Sequence, residues 1–213
     1  MKTKRMFVLG CLLMSVATLG NAQTINDIFN KDVPITWLGI DFTGAKFLGD
    51  RERFGSSSDV KFLIKSWNDM VEREHEKYDA ARATHKRKAE LHIEVTRNHN
   101  EELDISDMLS TNPSDYVHLK DEDVATIVSS YDFAGLSGVG LMFVVESFNK
   151  YEPQASIWVT FINLATKEVL LTDRILAPPG GASLRNYWGG SIRVVMEKME
   201  KKQMEVWQKK YAH

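Results

Sequence analysis

Apolar and polar positions along this 213-residue chain change period several times, and each change marks an element. Met6 to Gly20 is an almost uncharged apolar run. Ile35 to Phe42 (Ile-Thr-Trp-Leu-Gly-Ile-Asp-Phe) is rich in β-branched and aromatic residues and reads as a strand. Strict alternation puts Ile35 and Trp37 on one side and Leu38, Ile40 and Phe42 on the other. A strand apolar on both faces belongs inside a sheet covered on both sides. Gly44, Gly49 and Gly55 punctuate a loop. Ser56, with Asp59 three residues on, is placed to cap a helix, because their oxygens accept the free N–H groups of its first turn. Val60, Leu63, Ile64, Trp67, Met70 and Val71 follow at helical spacing. The end of that helix, Tyr78 to Thr84, is charged and predicted to be exposed.

Further on, Ala89, Leu91, Ile93 and Val95 alternate with Glu90, His92, Glu94 and Thr96, the pattern of a half-buried strand with one wet face. Residues 98–119 are polar, contain Asn112-Pro113 and read as loop, with at most a helical turn around Ile105 to Leu109. Asp121 caps a short helix carrying Val124, Ile127, Val128 and Tyr131. Gly138 to Phe148, Ala155 to Asn163 and Glu168 to Ala177 read as three strands, and their short connections predict an antiparallel meander. Pro178-Pro179-Gly180-Gly181 stops the last strand, and Ser183 caps a long final helix. Gly189-Gly190 within it either breaks the helix or permits a close approach. The order is β-α-β-α-β-β-β-α. It predicts an α/β fold of the α+β type: a mixed five-stranded sheet with an antiparallel C-terminal meander and helices packed on it. One domain spans 34–211, after a short polar lead-in over 23–33.

The apolar run at the start changes the picture of where the protein works. Lys2, Lys4 and Arg5 precede it, and Gly20 and Ala22 place small residues where a signal peptidase reads, so residues 1–22 read as a cleavable secretory signal peptide. The run is shorter than the roughly 18–20 residues that span a bilayer. Val8-Leu9-Gly10-Cys11 loosely resembles the site at which lipoproteins are cut and acylated. Only five residues separate Arg5 from Cys11, however, and the run continues past it, so Cys11 reads as signal-peptide filling. Periplasmic placement is expected, with extracellular release as the alternative.

Loss of the leader removes the one cysteine, leaving no disulfide, thiol nucleophile or thiolate metal ligand. Loss of Lys2, Lys4 and Arg5 leaves 24 basic against 29 acidic residues, a formal charge of −5, which argues against general nucleic-acid binding. No other apolar run is long enough for a membrane span.

Candidate chemistry is sparse. His92 and Glu94 at i and i+2, with His99 beyond, are compatible with a metal site, but no HExxH pattern accompanies them, and a solvated strand face accounts for them. Asp121-Glu122-Asp123 favours a helix start, and Glu101, Glu102 and Asp104 read as a solvated loop. No GxSxG elbow, phosphate-binding GKS/T loop or calcium-loop pattern occurs, so no catalytic residue, metal or cofactor is expected. Arg185, Asn186, Tyr187 and Trp188, just past the Pro-Pro-Gly-Gly turn, are the candidate partner- or ligand-binding residues. A contact to a peptide, glycan or protein partner would use the Arg and aromatic groups. The competing reading makes Tyr187 and Trp188 core, since helical spacing ties Leu184, Trp188 and Ile192 to one face.

The element order resembles a group of bacterial envelope domains: the N-terminal domain of the translocation protein TolB, the periplasmic domain of the curli secretion channel, and the lipoprotein activators of penicillin-binding proteins. There an early strand ends in an Asp-Phe-like pair, here Asp41-Phe42. A later hairpin turn resembles Asp-x-x-Thr-Gly-Glu, here Asn163-Leu164-Ala165-Thr166-Lys167-Glu168, with Asn163 for the acid and Lys167 for the glycine. Ala155 to Trp188 also resembles a family of uncharacterised secreted bacterial proteins. The first resemblance implies an envelope assembly or adaptor role without catalysis, the partner being another envelope protein or glycan. The alternatives are a small-molecule or glycan binder using 178–188, and an enzyme of unrecognised type.

Overall fold

A computed structural model describes residues 23–133 and 135–212. The proposed leader and Cys11 lie outside them. The elements, in chain order, are α1 (Ile25–Phe29), β1 (Ile35–Asp41), β2 (Lys46–Leu48), α2 (Arg51–Phe54), α3 (Ser57–Arg73), α4 (Ala80–Ala83), β3 (Ala89–Leu91), α5 (Glu94–Glu101) and β4 (Leu109–Ser110). There follow a 3-10 turn over Pro113–Asp115, α6 (Asp121–Ser130), β5 (Val139–Asn149), β6 (Gln154–Asn163), β7 (Glu168–Ala177), α7 (Leu184–Lys198), a π-helical stretch over Met199–Gln203, and α8 (Met204–Tyr211).

The sheet has seven strands rather than five, and four of its six pairings are parallel: β1 with β3, β1 with β5, β2 with β4 and β2 with β5. Only β5–β6 and β6–β7 are antiparallel, so the sheet as a whole is not a meander. The extra strands have a simple origin. β1 and β2 lie end to end along one edge of β5, Asp41 opposite Val144 and Lys46 opposite Ser147, with β6 filling the other edge. β3 and β4 pair the outer edges of β1 and β2. β2 and β4 have two or three residues each, too short to show a period of two.

Gly39 corrects the expected faces of β1. Its φ of +92° is in the left-handed region, and the register against β5 shifts between Trp37 and Ile40. Ile35, Trp37, Ile40 and Phe42 therefore share one face, and Leu38 alone takes the other. The first face carries the larger core, built with α3, α4, α7 and α8 over Val139, Leu141, Phe143 and Val145. On the second face α6 packs Val124, Ile127 and Val128 over Leu38, Met142 and Val144.

Local signals account for much of this. Ser56 and Asp59 form the expected capping box at the start of α3. Asp123 accepts from Lys120 N at 2.8 Å at the acidic start of α6. Gly189-Gly190 does not break α7. A side chain at Gly190 would meet the carbonyl of Gly180 at 2.2 Å, and one at Gly189 would meet Met70 at 2.5 Å, so the pair serves close approach.

Two segments are more buried than expected. Tyr78, Ala80, Ala83 and Thr84 are core, with Tyr78 Oη donating to the carbonyl of Gly189. The 23–33 segment contains α1, whose Ile28 is fully buried. Lys86 holds it there, its buried ammonium donating to the carbonyls of Asp27 (2.5 Å) and Asn30 (2.8 Å) at the end of α1.

Burial lowers the Lys86 pKa to about 8, against the pull of Asp27. Between that value and the free-lysine value near 10.5 the unfolded chain binds the proton and the folded chain does not. Stability contributed by this depressed pKa is thus full above the upper value and lost as pH falls through the lower. Urea unfolding of wild type and Lys86→Met across this window should show wild type gaining stability on the variant as pH rises. A pH-independent difference would refute the assignment.

Candidate functional site

The helix α5, with one apolar residue in eight, departs most from expectation. The strand predicted over 89–96 ends at Leu91, where His92 N donates to the carbonyl of Trp37 at 2.9 Å, and α5 begins at Glu94. Ile93, Thr96 and Asn100, at i, i+3 and i+7, form its buried face. Two of those three are polar, so the face carries no hydrophobic stripe. They are buried because β1 needs them.

Past Trp37 the outer edge of β1 has no strand beside it, and side chains take over its backbone groups. Asn68 of α3 accepts from Ile40 N at 2.9 Å and donates to Ile40 O at 2.8 Å. Asn100 donates to Ile40 O at 2.8 Å and accepts from Phe42 N at 3.1 Å. Thr96 Oγ1 donates to Leu38 O at 2.6 Å. Buried backbone groups left without such partners would cost about 1–3 kcal/mol each. The bonds fix α5 against β1 and leave its other side chains facing outward on two flanks.

On the first flank α5, with Ser130 to Asp132 and Leu136, encloses an open cleft of about 540 Å³, lined by His92, Glu94, Val95, His99, Glu102 and Tyr131 among others. A hydrogen-bonded relay runs from it into the core. Asp41, at the end of β1 and fully buried, accepts from Tyr131 Oη at 2.5 Å, Thr43 Oγ1 at 2.7 Å and Thr43 N at 3.0 Å. Since Thr43 gives its only hydroxyl proton to Asp41, it can only accept from His99 Nε2, 3.1 Å away. The His99 ring stacks on Tyr131 at 4.2 Å. Burial raises the Asp41 pKa, against the hydrogen bonds from Tyr131 and Thr43. Burial, with the Asp41 charge beside it, drives that of the Tyr131 phenol well above its usual range.

On the second flank a cleft of about 430 Å³ lies between α3 and α5, with Ile64, Asn68 and Asn100 among its lining and Lys61, Phe62 and Lys65 along one wall. Arg97 of α5 bridges back to Asp69 (3.3 Å) and to Glu72.

His92, Glu94 and His99 therefore share one cleft, although none of them lies on a strand: Glu94 and His99 belong to α5 and His92 sits between β3 and α5. His92 Nδ1 pairs with Glu94 at 2.9 Å. Among the described residues no group of three or more His, Cys, Asp or Glu side chains is placed to hold a metal ion. Of the acid clusters, Asp121 to Asp123 form the first turn of α6. The second cluster is dispersed. Glu101 faces Lys65 at 3.8 Å, Glu102 lines the first cleft, and Asp104 caps its own turn by accepting from Ser106 N, which lowers its pKa.

Arg185, Asn186, Tyr187 and Trp188 form the first turns of α7, capped by Ser183. Trp188 is fully buried and stacked on Phe148 at 4.5 Å. Tyr187 is half-buried beneath Lys150 Nζ, 4.1 Å from its ring centre. Arg185 contacts Asn186 Oδ1, and its carbonyl accepts from Trp67 Nε1. Sequence reasoning missed Asn68, Thr96 and Asn100. The available signals were Asn68 on the apolar stripe of α3 and the 93–96–100 spacing.

Comparison with protein families, curated proteins and solved structures finds no match for this chain.

Proposed function

We propose that this chain is an exported protein of the bacterial cell envelope that works by binding another envelope component rather than by catalysis. The observation carrying this reading is α5, held rigidly on β1 with its outward side chains presented between two open clefts. Binding surfaces are most effective when a rigid scaffold holds them in advance. The buried charges, by contrast, are closed on internal partners: Glu146 on Arg174 and backbone donors, Lys86 on two carbonyls, Asp41 on Tyr131 and Thr43. None of the three is left reaching for a substrate.

Two further features support the envelope assignment. One is the basic–apolar–small pattern over residues 1–22. The other is the turn after β6, where the Asn163 side chain accepts from Ala165 N and Thr166 N. Lys167 there has φ +63°, at the position the related motif fills with glycine. Among the described residues no helix is long and apolar enough to cross a membrane.

The test is photo-crosslinking in the producing cells, with the reactive amino acid placed at Asn98 on α5 or, as control, at Lys209 on α8, both exposed. A discrete envelope adduct from position 98 and none from 209 is the expected outcome. Recovery of an uncleaved cytosolic chain, or no adduct at 98, would overturn the proposal.

A further inference from the structure

The cleft between α3 and α5 has a chemistry of its own. Ser58, Lys61, Phe62 and Lys65 follow one another at i, i+3, i+4 and i+7, so they form one outward stripe of α3 along the cleft. Among the described residues Phe62 is 70% exposed, against 45% for the next large apolar side chain, Val117. A single exposed aromatic is ordinary on a protein surface. This one adjoins a ligand-sized cleft with Ile64 in its lining and is flanked by two lysines.

Lys61 has no ion-pair partner among the described residues, and Lys65 reaches Glu101 only at 3.8 Å with both ends in solvent. An exposed pair of that length contributes at most about 1 kcal/mol, so Lys65 can change partners. Arg97 is fixed by Asp69 and Glu72 and forms the opposite rim. The groove therefore carries three basic side chains, Lys61, Lys65 and Arg97, against one acid, Glu101, beside an apolar surface, on a chain whose acids outnumber its basic residues.

From this charge pattern we infer that the α3–α5 groove docks an acidic amphipathic segment of a partner protein. An apolar side chain of the segment packs against Phe62 and Ile64, and its carboxylates meet Lys61 and Lys65. The inference rests on the binding role proposed above and names the partner's chemistry. A protein segment fits better than a lipid surface. Asp59, Asp69 and Glu72 share α3 with the lysines, so a flat anionic bilayer would meet acids as well as bases, whereas a narrow segment in the groove meets mainly the lysines.

The test uses the chain from residue 23 onward and a short fluorescent peptide of Glu, Leu and Phe, read by anisotropy, with a Lys-for-Glu peptide as control. The acidic peptide should bind, more weakly as salt rises. Its affinity should fall about tenfold or more in Phe62→Ser and in the Lys61→Glu/Lys65→Glu double variant, and return in Lys61→Arg/Lys65→Arg. These positions face solvent, and unchanged circular dichroism verifies folding. Equal binding of the Lys peptide, or binding indifferent to Lys61 and Lys65, would overturn the inference. So would lysine-dependent binding to phosphatidylglycerol vesicles without peptide binding. Should the peptide fail while the position-98 adduct still forms, this inference falls and the binding role stands.

Discussion

Replacing Glu146 by alanine should lower folding stability by about 3–5 kcal/mol, read as a fall in the urea midpoint at unchanged slope. Glu146 is fully buried and is the extra residue of a bulge in β5, where Val145 pairs with Ile157 and Ser147 with Ser156. Its carboxylate accepts five hydrogen bonds. Two come from the backbone N–H groups of His118 (2.7 Å) and Leu119 (2.6 Å) and one from Ser156 Oγ (2.5 Å). The other two come from Arg174 Nε (2.7 Å) and Nη2 (3.1 Å). Arg174 in turn donates to the carbonyl of Leu119 and lies over the Trp158 ring at 4.3 Å. One side chain thus ties the 116–119 segment to β5 and β7. Alanine would take the acceptor from two backbone donors and from the two Arg174 N–H groups that point at the carboxylate. Glutamine should also be costly, because its amide NH₂ would face donors. The Glu146→Met/Arg174→Met pair should lose less than the sum of its singles, since neither charge is then stranded. A loss below about 1 kcal/mol in Glu146→Ala would show that this network does not hold the fold.

Trp188→Ala should cost a similar amount, about 3–5 kcal/mol, while Arg185→Ala and Asn186→Ala should stay within about 0.5 kcal/mol of wild type. Trp188 is fully buried, stacked on Phe148 at 4.5 Å with the rings 3° from parallel, and on Phe54 at 6.2 Å. It joins α7 to α2 and β5, so its removal opens a large cavity where those elements meet. Arg185 reaches no further than Asn186, and its contact to Trp67 is through the backbone, which alanine retains. Thermal unfolding of the three variants checks this. A Trp188→Ala protein as stable as wild type would mean that the residue serves something other than packing.

The two readings of Trp188 could not be separated by spacing alone. Helical periodicity puts Leu184, Trp188 and Ile192 on one face whether that face meets a sheet or a ligand. What decides is the presence of Phe54 and Phe148, which come from far earlier in the chain. The same holds for β1. Its strand character is written in Ile35 to Phe42, but strict alternation misassigned Ile40 and Phe42. Only the register against β5 reveals the extra residue at Gly39. Alternation also misread 91–96. The apolar positions fit a strand there, and the helix was chosen by polar residues filling hydrogen bonds on a strand more than fifty residues away.

The sequence by itself determined what depends on neighbours within a turn or on one repeating period. The capping box of α3, the acidic start of α6, the three long strands after residue 138 and the start of α7 are of this kind. Tertiary structure decided what depends on unmet backbone groups. The free edge of β1 drew in Asn68, Thr96 and Asn100 and set α5 between its two clefts. The bulge of β5 turned Glu146 inward onto Arg174. Periodicity records which side of an element is apolar, and it carries no trace of a polar side chain whose partner is the backbone of a distant strand.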